Sequence, residues 1–200
     1  MSALAPPAPT PPPAPRPLRI TAAQFNHKGD MGWFEGRRAF LLDGVILEQG
    51  PMDTPHAVAL GLTQAALQRA FPAGFWVRVQ SPFHTDEFTD PEPDLAVVPG
   101  GPRDYLGKHP TAAALVVEVA DSSLATDARD KAERYATAGV ADYWVVDVVN
   151  GRVLVFRDPR PLPASLGATT YKTCLTLGPG DTVSPLAAPG AAVAVADLLP

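Results

Sequence analysis

The sequence predicts a mixed α/β domain, a β-sheet packed by helices. Three observations carry that expectation. Stretches with strand character recur at 75–80, 95–98, 114–120, 143–147, 153–156 and 171–177. Two stretches of helical periodicity, 55–71 and 126–137, are interspersed with them. The run Ala114-Leu115-Val116-Val117-Glu118-Val119-Ala120 is apolar on both sides of a single acid, the pattern of a strand covered on both faces.

Taken in order, residues 1–17 contain eight prolines, which fix φ and lack an amide donor, so this segment reads as a disordered polyproline-type tail before a domain at 18–200. Thr21 and Gln24 form a capping-box pattern that starts a short helix at 22–28. Asp43-Gly44 between the apolar runs 39–42 and 45–48 predicts a hairpin, because both residues tolerate positive φ. Thr54-Pro55 reads as the N-cap and first turn of a helix whose apolar face is Val58, Leu62, Ala65, Ala66 and Phe71. Strands follow at 75–80, 95–98 and 114–120. A helix at 126–137 stops at Gly139, a residue that suits the left-handed end of a helix. Strands at 143–147 and 153–156 flank an Asn150-Gly151 turn, 171–177 is a further strand, and a last turn is expected at 192–199.

The chain has 200 residues, 46% apolar and 18% charged, enough for one domain with a substantial core. Its 16 basic and 21 acidic residues give a net charge of −5, which argues against binding nucleic acid through a broad basic surface. One cysteine, Cys174, excludes an internal disulfide framework and a multi-cysteine zinc site. It lies in a predicted strand and reads as a buried, inert thiol. There is no apolar run of membrane-spanning length and no secretory signal pattern, so the expectation is a cytoplasmic protein without membrane contact. The sequence carries no HExxH, GxSxG, P-loop or GxGxxG motif.

The most informative residue is Glu118, a carboxylate inside a strand that should be central. An unpaired buried carboxylate is costly, so a metal ion, a Lys or Arg, or hydrogen-bond donors must face it. Asp94 opens the strand 95–98, and alternation puts it on one face with Ala96 and Val98. It reads either as a strand-end cap or, if that strand pairs with 114–120, as a second acid converging on Glu118. A divalent cation would relieve the repulsion of two such carboxylates, and Mg²⁺ suits one or two of them plus water and phosphate oxygens. Asp127, Lys131 and Tyr135 fall at i, i+4 and i+8 on one helical face. They form either a solvent-facing pair with a neighbour, or a face turned toward the two acids. Asp130 and Arg134 make a second i, i+4 pair of structural character. His56, in the first turn of its helix, reads as a surface residue or as a contact to metal or phosphate.

Pro93-Asp94, Glu118-Val119-Ala120, Lys131 and Tyr135 together resemble the PD-(D/E)XK nuclease superfamily. Asp127, Lys131, Tyr135, Gly139-Val140, Tyr143-Trp144 and Asp147 resemble the signature of the Uma-type (Uma-two) family of restriction-endonuclease-like proteins. Asp43-Gly44, Glu48 and Pro55-His56 match that family's N-terminal half. The resemblance implies a restriction-endonuclease-like mixed sheet flanked by helices, and metal-dependent hydrolysis of DNA phosphodiesters. It implies Asp94 and Glu118 as ligands of Mg²⁺ or Mn²⁺, Lys131 and Tyr135 as further catalytic residues, His56 as a substrate contact and, by analogy alone, a homodimer. Two positions depart from the pattern. Ala120 stands where the superfamily has a lysine, whose part would pass to Lys131. Phe40 stands where the family has a glutamate, so that ligand is either absent or replaced by Glu48. Two other functions fit the same residues: a non-catalytic nucleic-acid or protein interaction module, and a metal-dependent hydrolase of another phosphoester.

Overall fold

The structure, a computed structural model, describes residues 16–121, 123–162 and 169–200. The expected disordered tail lies almost wholly outside the described residues. The elements are α1 (Ala22–Asp30), β1 (Ala39–Leu42), β2 (Val45–Glu48), α2 (Thr54–Ala70), β3 (Phe75–Val79), β4 (Leu95–Pro99), β5 (Leu115–Ala120), α3 (Ala132–Thr137), β6 (Asp142–Asp147), β7 (Arg152–Pro161), β8 (Thr169–Leu177), β9 (Thr182–Val183) and β10 (Val193–Ala194). A π-helical segment, Thr126–Lys131, leads directly into α3.

Strands β3-β4-β5-β6-β7-β8 form one six-stranded sheet in that order. Each neighbouring pair is antiparallel except β5 and β6, which are parallel and joined by the crossover through α3. The centre of the sheet is covered on both faces, as the apolar runs require: every residue of β5 and β6 is buried. One face carries Leu95, Val97, Leu115, Val117, Val119, Trp144 and Val146 against Ala59 and Leu67 of α2. The opposite face carries Ala96, Val98, Val116 and Val145 against Ala132, Tyr135 and Ala136 of α3, with Tyr143, Phe156 and Tyr171 stacked beside them.

Several expectations are corrected. The N-cap of α2 is Asp53, whose Oδ1 accepts from the His56 amide at 3.0 Å, so the helix starts at Thr54. The buried stripe of α2 is Ala59, Leu60, Thr63, Ala66 and Leu67, and Val58 and Leu62 are exposed. This helix is apolar nearly all round, so sequence alone does not fix its rotation, and the small residues sit where it approaches the sheet. The 126–137 helix begins with a π segment, β3 ends at Val79, and β7 is longer than 153–156. Cys174 is exposed, because β8 lies at the edge of the sheet. Arg134 turns away from Asp130 and pairs with Asp43, at 2.7 and 2.6 Å.

That last contact fastens the β1–β2 hairpin to α3. Asp43 and Gly44 have φ of 50° and 76°, the positive values a type I′ turn demands. Gly44 is also crossed by the chain entering α1. A Cβ there would lie 2.6 Å from Arg19 Cβ, and the Ile20 amide donates to Gly44 O at 3.1 Å. Among the described residues, no helix is long and apolar enough to cross a membrane.

Candidate active site

Strand pairing brings the two predicted acids together. The β4–β5 register pairs Leu95 with Val117 and Ala96 with Val116. One step further, Asp94 lies across from Glu118, and facing side chains in an antiparallel pair have Cβ atoms about 4.5–5.5 Å apart. Both acids are on the α3 face, and both are buried, 3% and 2% exposed.

Asp94 is held on both oxygens. Oδ2 accepts from the Val119 amide at 2.9 Å, and Oδ1 faces His56 Nε2 and Gln80 Nε2, each at 3.2 Å. Burial opposes its charge, but the hydrogen bonds from His56, Val119 and Gln80 outweigh burial and leave the carboxyl below its ordinary range. In return, the bond to Asp94 raises the His56 imidazole above its ordinary value. Gln80 reaches Asp94 because β3 breaks there: its φ is 41°, a left-handed conformation uncommon for a residue with a side chain, and its amide donates to Asp94 O at 3.0 Å.

Glu118 accepts from the Tyr135 hydroxyl on Oε1 at 2.8 Å and faces Lys131 Nζ from Oε2 at 3.1 Å. Lys131 also meets Asp127 Oδ1 at 2.8 Å, and Asp127 Oδ2 accepts from the Ser123 hydroxyl. Asp127 is buried, so the solvent-facing reading of the Asp127–Lys131 pair is excluded. The two partners of the ion pair shift in the same direction. Burial, with Asp94 and Asp127 nearby, pushes the Glu118 carboxyl up to about 8 despite Lys131. Burial works against the Lys131 ammonium, but Glu118 and Asp127 hold it above its usual range. Lys131 therefore holds its charge, while burial favours the protonated form of Glu118.

Glu118, Ser123, Asp127 and Lys131 line a cleft of about 240 Å³, facing Phe40 and Leu42 of β1, while Asp94, His56, Gln80 and Tyr135 lie outside its lining. Glu48 reaches the rim, but its carboxylate is turned to Arg37 at 3.8 Å and meets neither Lys131 nor Glu118. Phe40 thus places a ring where the resemblance implies a carboxylate.

The chemistry of the floor suits a hard divalent cation. Glu118 Oε1 and Oε2 and Asp94 Oδ2 each have one partner, which leaves a lone pair on each for an ion. Glu118 and Asp127 face one ammonium, Asp94 lies near Glu118, and an added positive charge would offset the burial and the neighbouring acids that raise Glu118. Among the described residues no group of three or more His, Cys, Asp and Glu side chains is poised to hold a metal by itself. Two carboxylates completed by water and phosphate oxygens is a Mg²⁺-type arrangement.

The structure brings Asp94, Glu118, Lys131, Tyr135 and His56 into one contiguous cluster. Sequence reasoning missed Gln80 and Ser123. A glutamine at a strand end carries no periodic signal, and its part depends on an unusual φ. The π segment that carries Asp127 and Lys131 was also unforeseen. Such segments are rare and frequently accompany functional sites.

The family model Uma2, described as "Putative restriction endonuclease", matches residues 33–196. No curated protein matches the chain. Among solved structures, the fold is similar to that of a protein from Anabaena variabilis ATCC 29413 described as a "putative nuclease belonging to DUF820". The TM-score is 0.64 at 13% identity, covering 80% of this chain and 88% of that one. At that identity the likeness is one of fold, and it agrees with the mixed sheet flanked by helices expected above.

Proposed function

We propose that this chain, which belongs to the Uma2 family of restriction-endonuclease-like proteins, is a DNA endonuclease that hydrolyses phosphodiester bonds with the help of Mg²⁺ or Mn²⁺. The observation that carries the reading is the contact of Lys131 Nζ with Glu118 Oε2 at 3.1 Å on the cleft floor, with Asp94 buried across the strand pair from Glu118.

Asp94 and Glu118 would hold the cation, which when bound supplies Lewis acidity toward a phosphate oxygen and acidifies water. The protein's own groups do the rest. Lys131, charged throughout the working pH range, stabilises negative charge as it develops on the phosphoryl oxygens and orients the attacking water. As an ammonium it has no lone pair with which to take a proton from that water. Asp127 and Ser123 fix the ammonium against the floor. The Tyr135 hydroxyl fixes the Glu118 carboxylate, and His56 and Gln80 fix that of Asp94, so neither acid has to reorganise when substrate arrives.

The test is cleavage of plasmid and single-stranded DNA by the purified full chain with Mg²⁺ or Mn²⁺, against EDTA. Cleavage should need the metal, Asp94→Asn and Glu118→Gln should each abolish it without lowering the melting temperature, and Lys131→Ala should cut it by roughly 10²–10³-fold in a protein that still folds. Cleavage that survives all three substitutions overturns the assignment. One observation favours a non-catalytic interaction module on the same fold: Lys131 is already matched by two carboxylates, a complete ion cluster without any ligand. A chain that cuts nothing, and whose variants change only in melting temperature, would support that module.

A further inference from the structure

The cleft has two unlike walls. The floor is ionic, with Glu118, Asp127 and Lys131, the roof is apolar, with Phe40, Leu42 and Pro91, and Glu48 and Glu92, each turned to an arginine, complete the charged lining. The roof is set by alternation along β1. Leu41 is fully buried and pairs with Asp90 through its backbone, amide to carbonyl at 2.9 Å from Asp90 to Leu41, so Phe40 and Leu42 face the other way, over the floor. Phe40 is half-buried and has no aromatic neighbour of its own among the described residues.

We infer that the cleft accepts a single nucleic-acid strand, one nucleotide at a time, with its base stacked on Phe40 and its phosphate on the Lys131 floor. This rests on the nuclease reading above and specifies its substrate. Three observations carry it. The space, about 240 Å³, holds one flat ring system with its phosphate, and a base pair with two backbones needs several times that. The reacting floor is deep: Glu118 is 2% exposed and the Lys131 side chain 21%, so a phosphate on the outside of an intact duplex does not reach them. Among the described residues lining the cleft, Lys131 is the only cation, and Arg38 at the rim is spent on Glu92 at 3.8 Å. A duplex held by its phosphates needs many Lys and Arg contacts. A strand held by base stacking does not, because every base offers a π-face. A net charge of −5 fits the second mode.

The experiment compares a fluorescein-labelled single-stranded oligodeoxynucleotide with the same sequence as a blunt duplex, using the full chain and Mn²⁺. The single strand should be cut at least about 10-fold faster. Phe40→Ala should raise KM for the single strand by roughly 5- to 100-fold, the range of one lost stack, with kcat little changed. Phe40→Trp should restore it. A strand with one abasic residue at the cut position should no longer distinguish Phe40→Ala from the parent, which separates loss of stacking from misfolding. Equal cleavage of duplex and single strand, or an unchanged KM in Phe40→Ala, overturns the inference and leaves the nuclease reading intact. If neither form is cut, the nuclease reading fails, and the inference is decided by fluorescence anisotropy with the same two oligonucleotides. Single-strand preference that Phe40→Ala removes sustains it, and binding of both forms alike, or of neither, ends it.

Discussion

The two faces of the six-stranded sheet are made by the same strands and bury charge in different places: at the sheet's margin, in Asp142 and Arg157, on the α2 face, and in a cluster at its centre on the α3 face. Along β5, Leu115, Val117 and Val119 point to α2, while Val116, Glu118 and Ala120 point to α3. The α2 face is an apolar core of aliphatic side chains with Trp144, Phe71 and Phe75. Its buried acid, Asp142 at the start of β6, is matched by Arg157 at 2.8 Å and by the Trp144 indole at 2.8 Å. The α3 face contains Asp94, Glu118, Asp127 and Lys131, roofed and flanked by tyrosines whose hydroxyls are all engaged. A strand's period of two lets one sequence serve both ends: one set of alternate positions holds the fold together, and the other carries charge the fold must tolerate. The difference predicts that substitutions on the two faces have opposite signatures.

The largest expected effect lies on the α2 face. Leu67→Ala should cost about 2–5 kcal/mol in urea unfolding, as large-to-small changes in a dry core do, and the protein that stays folded should cleave DNA at the parent rate. On the α3 face, Lys131→Ala should reduce cleavage by roughly 10²–10³-fold, the scale for losing one transition-state donor, beyond what its lower melting temperature accounts for, since Asp127 and Glu118 lose their buried cation. Glu118→Gln should sharpen the contrast by abolishing cleavage while raising the melting temperature, since it removes a buried charge and keeps the partner of Tyr135. A fall in stability for Glu118→Gln equal to that of Leu67→Ala would erase the distinction between the faces.

The pH dependence follows from the same carboxylate. Glu118 is raised in the folded chain from 4.5 to about 8, so the folded state binds its proton more tightly than the unfolded state. That stabilisation is complete below about 4.5 and is lost as pH rises through 8. His56, also raised, adds in the same direction above its ordinary 6.5. Asp94, lowered, acts oppositely, with a contribution present above 3.8 and lost in acid. In EDTA, the stability of the parent relative to Glu118→Gln should fall between pH 4.5 and 8 with a slope of up to about 1.4 kcal/mol per pH unit. A flat difference would remove Glu118 as the titrating group. The smallest effect belongs to Arg134→Ala, about 1 kcal/mol or less because the Asp43 pair is partly exposed. Its signature should be faster hydrogen exchange across 39–48 than across β5.

Much of this was legible beforehand, for reasons that are local. The apolar run around Glu118 marked a central strand, and alternation put Asp94 on one face with Ala96 and Val98, so that pairing of the two strands was the one condition left for the acids to converge. Asp43-Gly44 specified its turn by φ alone. What escaped depends on contacts between distant segments. The burial of Asp127 is decided by how the π segment lies on the sheet, which an i, i+4 spacing does not encode. Arg134 chose Asp43, 91 residues away, over Asp130 on its own helix. The cap of α2 fell one residue earlier than Thr54 because Asp53 also reaches the His56 amide. Gln80 is the extreme case, since its value lies in a single uncommon dihedral.

The fastening of the β1–β2 hairpin has a consequence for how substrate arrives. Asp43 is gripped by Arg134 from beneath, and the chain entering α1 passes over Gly44 from above, so the hairpin is a fixed lintel rather than a lid. On the substrate proposed here, a hairpin tied at its turn on both sides offers no free edge for prising a base out of its helix. Any melting has to be done by the polymer itself, at frayed ends, nicks and weakly paired tracts, and the doorway selects the strands that have already come loose.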